Sequence, residues 1–140
     1  MSEKVIKRAG EVIAAKTAGS DGYATLALID ENSYPTASTV STVKANGINW
    51  LAFCASVDDN KANRIRKCNR ASVCINSNDY NITLVGTMEI LTDSEIKKEM
   101  WREGFENHWS GADDPNYCVL RFNTERYNLF VGWEAATGVL

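Results

Sequence analysis

The fold of this chain is decided by residues 34–77, which read YPTASTVSTVKANGINWLAFCASVDDNKANRIRKCNRASVCINS. Residues 35–43 are rich in β-branched and hydroxyl side chains, a composition typical of a strand. Asn46-Gly47 is a dipeptide that favours a two-residue turn with positive φ. The pattern therefore predicts a hairpin in which a second strand, over residues 48–55, pairs with the first.

A short basic helix is predicted after this hairpin, over residues 61–69. The first turn of a helix has free N–H groups and the positive end of the helix dipole, so it favours a bound anion. Lys61 is therefore a candidate phosphate ligand, supported by Ser56 and Asn60. The alternative interpretation is a solvated lysine on an exposed helix face.

Two acidic residues add a further alternative at the same place. Asp58 and Asp59 directly precede the predicted helix. Carboxylates in that position commonly cap the helix, and they would repel a phosphate. The basic residues within 61–70 also leave a nucleic-acid patch open, although the formal net charge of −3 argues against a broad nucleic-acid footprint.

The whole chain predicts a single α+β domain, residues 1–140, built as a closed or split β-barrel of about six mostly antiparallel strands with peripheral helices. Gly86 marks a bulge or a close approach within one strand. Thr92 and Glu95 form a predicted capping box that starts a helix. The other elements are an amphipathic helix over 3–16, a turn at 19–22, and strands over 23–29, 72–77, 80–91, 117–122 and 127–133.

The composition is that of a globular protein of ordinary size. The 140 residues are 44% hydrophobic and 24% charged. Four cysteines are widely separated, without a C-x-x-C pair, which favours free thiols in a reducing compartment. No apolar run reaches the roughly 20 residues that cross a bilayer, and the N-terminus lacks a signal region. We therefore expect a cytoplasmic protein without a membrane partner.

The sequence contains few of the motifs by which catalytic sites are recognised. His108 is the single histidine, so neither a histidine-based zinc site nor a Ser-His-Asp relay is expected. Beside Trp109, it is interpreted as a surface or packing residue. No P-loop or dinucleotide fingerprint occurs. Catalytic residues stay unassigned, no metal site is predicted, and any chemistry is expected to come from a cofactor.

The hydroxyl-rich strand over 35–43 has no purely apolar face. Alternation sends three residues to each side, Ser38, Val40 and Thr42 to one and Thr39, Ser41 and Val43 to the other. Such a strand offers backbone and hydroxyl hydrogen bonds to a polar planar ligand. It also fits a strand that simply faces solvent, and the sequence leaves both interpretations open.

Four segments, in this order, resemble the pyridoxamine 5'-phosphate oxidase-like, FMN-binding split-barrel family, in particular its general stress protein branch. They are Tyr34-Pro35 at the start of a strand, the strand-to-helix segment 60–73, Gly86-Thr87-Met88-Glu89, and the loop 108–117. The resemblance covers nearly the whole chain. It implies a split barrel that forms a homodimer, with FMN held at the subunit interface.

The resemblance also implies where a flavin would bind. The expected cofactor-binding residues are Ser38, Thr39, Val40, Ser41 and Val43 beside the flavin ring and ribityl chain, Cys54 and Ala55 in the same pocket, Asn60 and Lys61 at the phosphate, and Asn81 near the ring. Hydrogen bonds at the ring edge would tune the flavin.

The chain departs from the family pattern at positions where the family often has basic residues. Thr36 and Ser38 stand where arginine is common, and Val43 and Asn60 stand where a basic residue is common. A charge-assisted contact is worth roughly 1.5–3 kcal/mol, so the loss of two weakens FMN binding by about two to four powers of ten.

Two functions therefore stay open. One is an FMN-dependent oxidoreductase with an unassigned substrate. The other is a stress-related protein that binds a flavin or another small ligand without catalysis. The chain ends at Val139-Leu140, without the longer segment that helps bind pyridoxal substrates in the full-length oxidases, so vitamin B6 oxidase activity is not expected.

Overall fold

The structure is a computed structural model that describes residues 2–17 and 22–140. Within these residues the chain forms eight strands, three α-helices and one 3-10 turn. In chain order they are α1 (Ser2–Ala15), β1 (Tyr23–Ile29), β2 (Pro35–Ser41), β3 (Lys44–Asn46), β4 (Trp50–Ser56), α2 (Asn60–Lys67), β5 (Arg70–Ser77), β6 (Tyr80–Leu91), α3 (Ser94–Met100), the 3-10 turn Phe105–Asn107, β7 (Tyr117–Val131) and β8 (Glu134–Val139).

All strand pairs are antiparallel, and the strands form one curled sheet. Its order is β2-β1-β5-β6-β7-β4-β3, with β8 added on β7. The sheet curls into a half-barrel, and β2 lies at one end of it with one edge free. The fold is the split β-barrel of the α+β class that the sequence predicts.

The interior of the barrel holds the main hydrophobic core. Helix α1 covers it with Val5, Ala9 and Ile13, which share one helical face because they are four residues apart. A second apolar cluster lies on the other side of β4 and β7, under α3 and the segment that follows it. In the described part of the chain, no helix is long and apolar enough to cross a membrane.

The central hairpin differs from its prediction. The strand predicted over 35–43 ends at Ser41, and β2 pairs with β1 instead of β4. The chain changes partner at the next two residues, because the Thr42 N–H bonds to Gly22 and the Val43 N–H bonds to Ala52. The hairpin is formed by β3 and β4 around a three-residue loop, in which Gly47 has a φ of 55°. Gly47 therefore lies in the turn as predicted, but the loop has three residues instead of two. The return strand runs over Trp50–Ser56 instead of 48–55, and it pairs with β3 instead of β2.

Several other elements follow the predictions closely. The strands Tyr23–Ile29 and Tyr80–Leu91 have the predicted bounds, and α1 is shifted by one residue. Gly86 marks a β-bulge, since the register with β7 shifts between Val85 and Gly86. The turn predicted at 19–22 falls mainly on residues 19–21, which lie outside the described residues.

Helix ends and the last strands need correction. Asp93, not Thr92, caps α3, because its carboxylate accepts the Glu95 N–H at 2.9 Å. Helix α2 ends at Lys67 instead of residue 69, since Cys68 is already extended toward β5. The two strands predicted over 117–122 and 127–133 are one strand, because the bulge opposite Gly86 lets β7 continue through its polar middle. Strand β8 is not predicted by the sequence.

Candidate functional site

A cavity of about 430 Å³ lies beside the free edge of β2, between β4, the start of α2 and the segment 103–109. Six of the ten expected cofactor-binding residues line it, namely Thr39, Val40, Ser41, Val43, Cys54 and Lys61. Both faces of β2 contribute, since neighbouring residues on a strand point to opposite sides. The cavity therefore follows the outer edge of β2, where the strand has no ladder partner.

The other four expected residues do not line the cavity. Ser38 is exposed on β2 opposite Leu26. Ala55 is buried in the barrel interior, and Asn60 is exposed as the first residue of α2. Asn81 lies on β6, where its amide oxygen accepts a hydrogen bond from Cys74 Sγ at 3.3 Å.

The start of α2 brings one positive and one negative charge to the cavity. Asp59 is the N-cap, and its carboxylate accepts the Ala62 N–H at 2.9 Å. This is the capping role that the sequence left as an alternative. The N–H groups of Asn60 and Lys61 precede the first intrahelical bonds and have no acceptor within the helix. Lys61 and Asp59 both line the cavity.

The basic residues that follow Lys61 are partly engaged on the surface. The Arg64 guanidinium forms an ion pair with Glu31 at 2.9 Å. Arg66 donates to the side-chain oxygen of Asn63 at 3.1 Å. The ion pair with Glu31 neutralises one cation of the basic stretch that the sequence leaves open as a nucleic-acid patch, whereas the neutral Asn63 leaves the charge of Arg66 in place.

A second wall of the cavity comes from residues that the sequence analysis did not assign to a site. It consists of Glu103, Gly104, Phe105, His108 and Trp109. His108 is exposed, as expected for a surface residue, but it also faces the cavity. The signal for this wall is a spacing of four residues between Trp101, Phe105 and Trp109.

Edge-to-face packing of aromatic rings fixes this second wall. Phe105 packs against Trp101 at 5.5 Å between ring centroids and against Trp109 at 5.6 Å. Trp109 also packs against the buried ring of Tyr117 at 5.0 Å. The Trp109 indole donates to Ser56 Oγ at 3.0 Å, which joins this wall to the end of β4. Such pairs contribute roughly 0.5–1.5 kcal/mol beyond their burial.

The thiol in the cavity is not an activated nucleophile. Burial raises the pKa of Cys54 to about 11, so the thiol stays protonated at neutral pH. Its Sγ lies 3.6 Å from the Tyr117 hydroxyl, which donates to the Lys97 carbonyl at 2.8 Å. Burial also raises the pKa of Tyr117. Cys54 is therefore an uncharged part of the cavity lining at neutral pH.

The donor set suits an organic ligand better than a metal ion. Among residues 2–17 and 22–140, no group of three His, Cys, Asp or Glu side chains is placed to hold a metal. The cavity combines an apolar floor at Phe53 and Leu120 with the hydroxyls of β2 and the ammonium of Lys61. Its volume lies within the range of small-molecule pockets, about 300–1,000 Å³.

Comparison with known protein families gives one match. The family model described as "Pyridoxamine 5'-phosphate oxidase" matches residues 14–130. No curated protein matches the sequence significantly.

Solved structures with the same fold include two general stress proteins. A protein related to general stress protein 26 from Clostridium acetobutylicum is 24% identical, with a TM-score of 0.82 over 100% of this chain and 97% of its own. General Stress Protein 26 from Bacillus anthracis is 17% identical, with a TM-score of 0.75 over 94% of this chain and 98% of its own.

A third solved structure is described as a pyridoxamine 5'-phosphate oxidase-related, FMN binding protein, from Nostoc punctiforme. It is 16% identical, with a TM-score of 0.66 over 99% of this chain and 94% of its own. At these identities the three structures show a shared fold.

Proposed function

This chain belongs to the pyridoxamine 5'-phosphate oxidase family, and from that premise we propose that it is an FMN-binding flavoprotein that acts as an oxidoreductase on an unassigned substrate. The observation that carries the proposal is the cavity along β2, with Lys61 at one end and an aromatic wall on the side. The FMN-binding neighbour of the same fold supports it.

The residues around the cavity fit the parts of FMN. A flavin ring needs an apolar slot with hydrogen-bonding groups at its edge, and Val40, Val43 and Phe105 contribute apolar surface to the cavity. The free edge of β2 adds unpaired backbone groups and the hydroxyls of Thr39 and Ser41. FMN, when bound, would supply the hydride or electron transfer that no side chain of this cavity supplies.

The phosphate end of the cavity is weakly charged. Lys61 would hold the phosphate through a charge-assisted hydrogen bond, together with the free N–H groups at the start of α2. Asp59 opposes this with its own carboxylate, already used as a helix cap. We therefore expect FMN to bind less tightly than it would beside several arginines.

This weak charge favours the second candidate function, a stress-related protein that binds a flavin or another small ligand without catalysis. The observation behind it is that Lys61, the one expected phosphate ligand in the cavity lining, shares that lining with the carboxylate of Asp59. Structural neighbours named as general stress proteins agree with this candidate as well as with the first.

We also propose that two copies of the chain form a homodimer through an uncovered face of the sheet. Two rows of paired residues cross six strands on the side away from the core. They are Thr39, Thr25, Cys74, Thr83, Asn128 and Thr137, and Ala37, Ala27, Ser72, Val85, Arg126 and Val139. We call these twelve residues the open face.

The open face has the character of a protein interface. All twelve side chains are exposed or half-exposed in the single chain, and only Arg126 carries a charge. Interface centres are depleted in charged residues in the same way. Thr39 belongs both to the open face and to the cavity, so a second copy on this face would border the flavin site.

A cytoplasmic location is proposed from the cysteines. All four, Cys54, Cys68, Cys74 and Cys118, are free in the structure. Free thiols persist in compartments that are kept reducing.

Binding of FMN to the purified protein tests the proposed function. We expect flavin absorption bands in the protein, or a rise in the thermal midpoint on adding FMN, because a ligand at 100 times its Kd stabilises by about 2.7 kcal/mol. Lys61→Ala should weaken binding by about 10- to 100-fold, the value of one charge-assisted contact. Lys67→Ala, at the exposed end of the same helix, is the matched control and should leave binding unchanged.

The same preparation separates the two candidate functions. Oxidation of NADH or NADPH under saturating FMN supports an oxidoreductase, whereas FMN binding without turnover of any tested donor supports the binding protein. A colourless protein with no thermal shift at saturating FMN contradicts the oxidoreductase, and for the second candidate it rules out a flavin as the ligand.

A further inference from the structure

The two long walls of the cavity are not joined by a strand ladder. One wall is the end of β2 with the link to β3, which includes Ser41 and Val43. The other is the segment 103–109, which follows α3. Their separation must therefore be set by side chains, because no backbone pairing between them is recorded among the described residues.

Arg102 lies at the junction of these walls. Its Nη2 donates to the Val43 carbonyl at 3.0 Å. Its Nη1 donates to the Glu99 carbonyl at 2.9 Å and to the Trp101 carbonyl at 3.0 Å. One half-buried guanidinium thus joins the Val43 carbonyl, in the first wall, to two carbonyl groups at the end of α3, directly before the second wall.

The last carbonyls of a helix have no intrahelical donor, and a cation there is favoured by the helix dipole. Arg102 satisfies two carbonyls at the end of α3 in this way. It has no carboxylate within 4 Å in the described part of the chain. The hydrogen bonds of the guanidinium therefore go to carbonyl groups alone. Its bond to Val43 links the end of α3 to the first wall.

The opposite end of the same segment is tied as well. The Trp109 indole donates to Ser56 Oγ at 3.0 Å. The segment 103–109 is thus fastened to the β2–β3 link at one end and to β4 at the other. Arg102 itself does not line the cavity, so any effect that it has on a ligand must act through these neighbours.

We propose that Arg102 is a positioning residue of the cavity, which holds the Val43 carbonyl and the segment 103–109 at a fixed separation and thereby sets the affinity for the flavin. The inference rests on the proposed function, since it concerns the same cavity. A planar guanidinium presents donors in several directions at once, whereas an ammonium is a compact point charge, so lysine can replace only part of the link.

The test compares Arg102→Leu and Arg102→Lys with Arg121→Leu. Arg121 is a matched control, because its half-buried guanidinium also makes two hydrogen bonds, both to Glu89, and does not line the cavity. Two quantities are measured. One is the Kd for FMN by fluorescence titration. The other is the rate at which Cys54 is alkylated in the ligand-free protein, followed by mass spectrometry of its peptide.

Removing the link should open the cavity at Cys54 and loosen the flavin. We expect Arg102→Leu to weaken FMN by about 10-fold or more, the value of a hydrogen bond from a charged group. Cys54 alkylation should accelerate through greater exposure of the thiol, even though loss of the Arg102 charge by itself raises the pKa of Cys54. Arg102→Lys should give an intermediate change in both. Arg121→Leu should stay within about twofold of the wild type in both quantities.

The outcomes separate this inference from the proposed function. Wild-type protein that binds no FMN contradicts the proposed function, and the Cys54 rates then decide on Arg102 alone. An Arg102→Leu variant with unchanged Kd and unchanged alkylation overturns the positioning role. Equal losses in Arg102→Leu and Arg121→Leu also overturn it, because they indicate general destabilisation. If Arg102→Leu does not fold, the Arg102→Lys variant decides by the same criteria.

Discussion

Gly86 shows how one missing side chain shapes the sheet. It lies at the bulge between β6 and β7, and a Cβ there would collide with the carbonyl group of Asn123. Backbone atoms cannot rotate away, so the strands would have to separate. We expect Gly86→Ala to lower the free energy of unfolding by about 3 kcal/mol, as severe overpacking does. Urea denaturation of the variant measures this loss.

A second glycine provides the control for this prediction. Gly47 has a φ of 55°, and a Cβ there would meet nothing within 4 Å. Gly47→Ala should therefore cost only the left-handed backbone conformation, about 1 kcal/mol. A Gly86→Ala variant as stable as Gly47→Ala would show that the two strands are not held as closely as the bulge implies.

Among the strands, those bounded by strong turn signals could be predicted from the sequence. Tyr23–Ile29 and Tyr80–Leu91 were found with their predicted bounds. The pairing partner of β2 could not be predicted. The composition of residues 35–43 indicates an extended strand but does not indicate which strand lies beside it. The exchange at Thr42 and Val43 depends on hydrogen bonds to residues 22 and 52, which are distant in sequence.

The two walls of the cavity also differ in how far the sequence predicts them. The wall from β2, β4 and α2 contains residues that the family resemblance indicates, including Thr39, Cys54 and Lys61. The wall at 103–109 has only a short 3-10 turn, and its sequence signal, the four-residue spacing of Trp101, Phe105 and Trp109, does not show that it lies beside β2. Its position results from the packing of Phe105 and Trp109 on Tyr117, which only the folded chain brings together.

The loop between the second wall and β7 is held together by hydrogen bonds to one carboxylate. Asp114 accepts the Ser110 N–H at 2.9 Å, the Ser110 hydroxyl at 3.2 Å and the Asn116 N–H at 2.8 Å. The backbone hydrogen bonds from Ser110 and Asn116 hold the pKa of Asp114 below its ordinary value of 3.8. The ionised form therefore stabilises the folded loop.

The pH dependence of this loop follows from the lowered pKa. The stabilisation by Asp114 is complete above the pKa of the unfolded chain and is lost as the pH falls through the lower folded-state pKa. The stability difference between wild type and Asp114→Asn should therefore be constant from neutral pH down to about pH 5 and should shrink below about pH 4. Urea denaturation at a series of pH values measures it.

The neighbouring acid provides the control for Asp114. Asp113 is exposed and makes no recorded side-chain hydrogen bond in the described structure. Asp113→Asn should therefore change the free energy of unfolding at neutral pH very little. A difference for Asp114→Asn that stays constant through pH 3 would contradict the role given to its carboxylate.

At the level of the assembled protein, the open face and the cavity form one continuous surface. Thr39 belongs to both, and β2 is the edge strand along which they meet. A ligand lying along β2 would therefore be covered further by a second chain. In the proposed dimer, flavin affinity would therefore depend on assembly, because a ligand that binds only the dimer also stabilises it.

Substitution on the open face tests this dependence. Thr25 is exposed in the single chain and lies within the row that contains Thr39, so arginine there should leave the fold intact but place a charge in the interface. We expect wild-type protein to have about twice the chain mass of 15.5 kDa by light scattering. Thr25→Arg should approach the single-chain mass and bind FMN more weakly.

Thr92→Arg is the control, because Thr92 is exposed between β6 and α3, and this variant should remain dimeric. Wild-type protein with the single-chain mass at micromolar concentration would rule out the dimer, and a monomeric Thr25→Arg that binds FMN as tightly as the wild type would separate the flavin site from the interface.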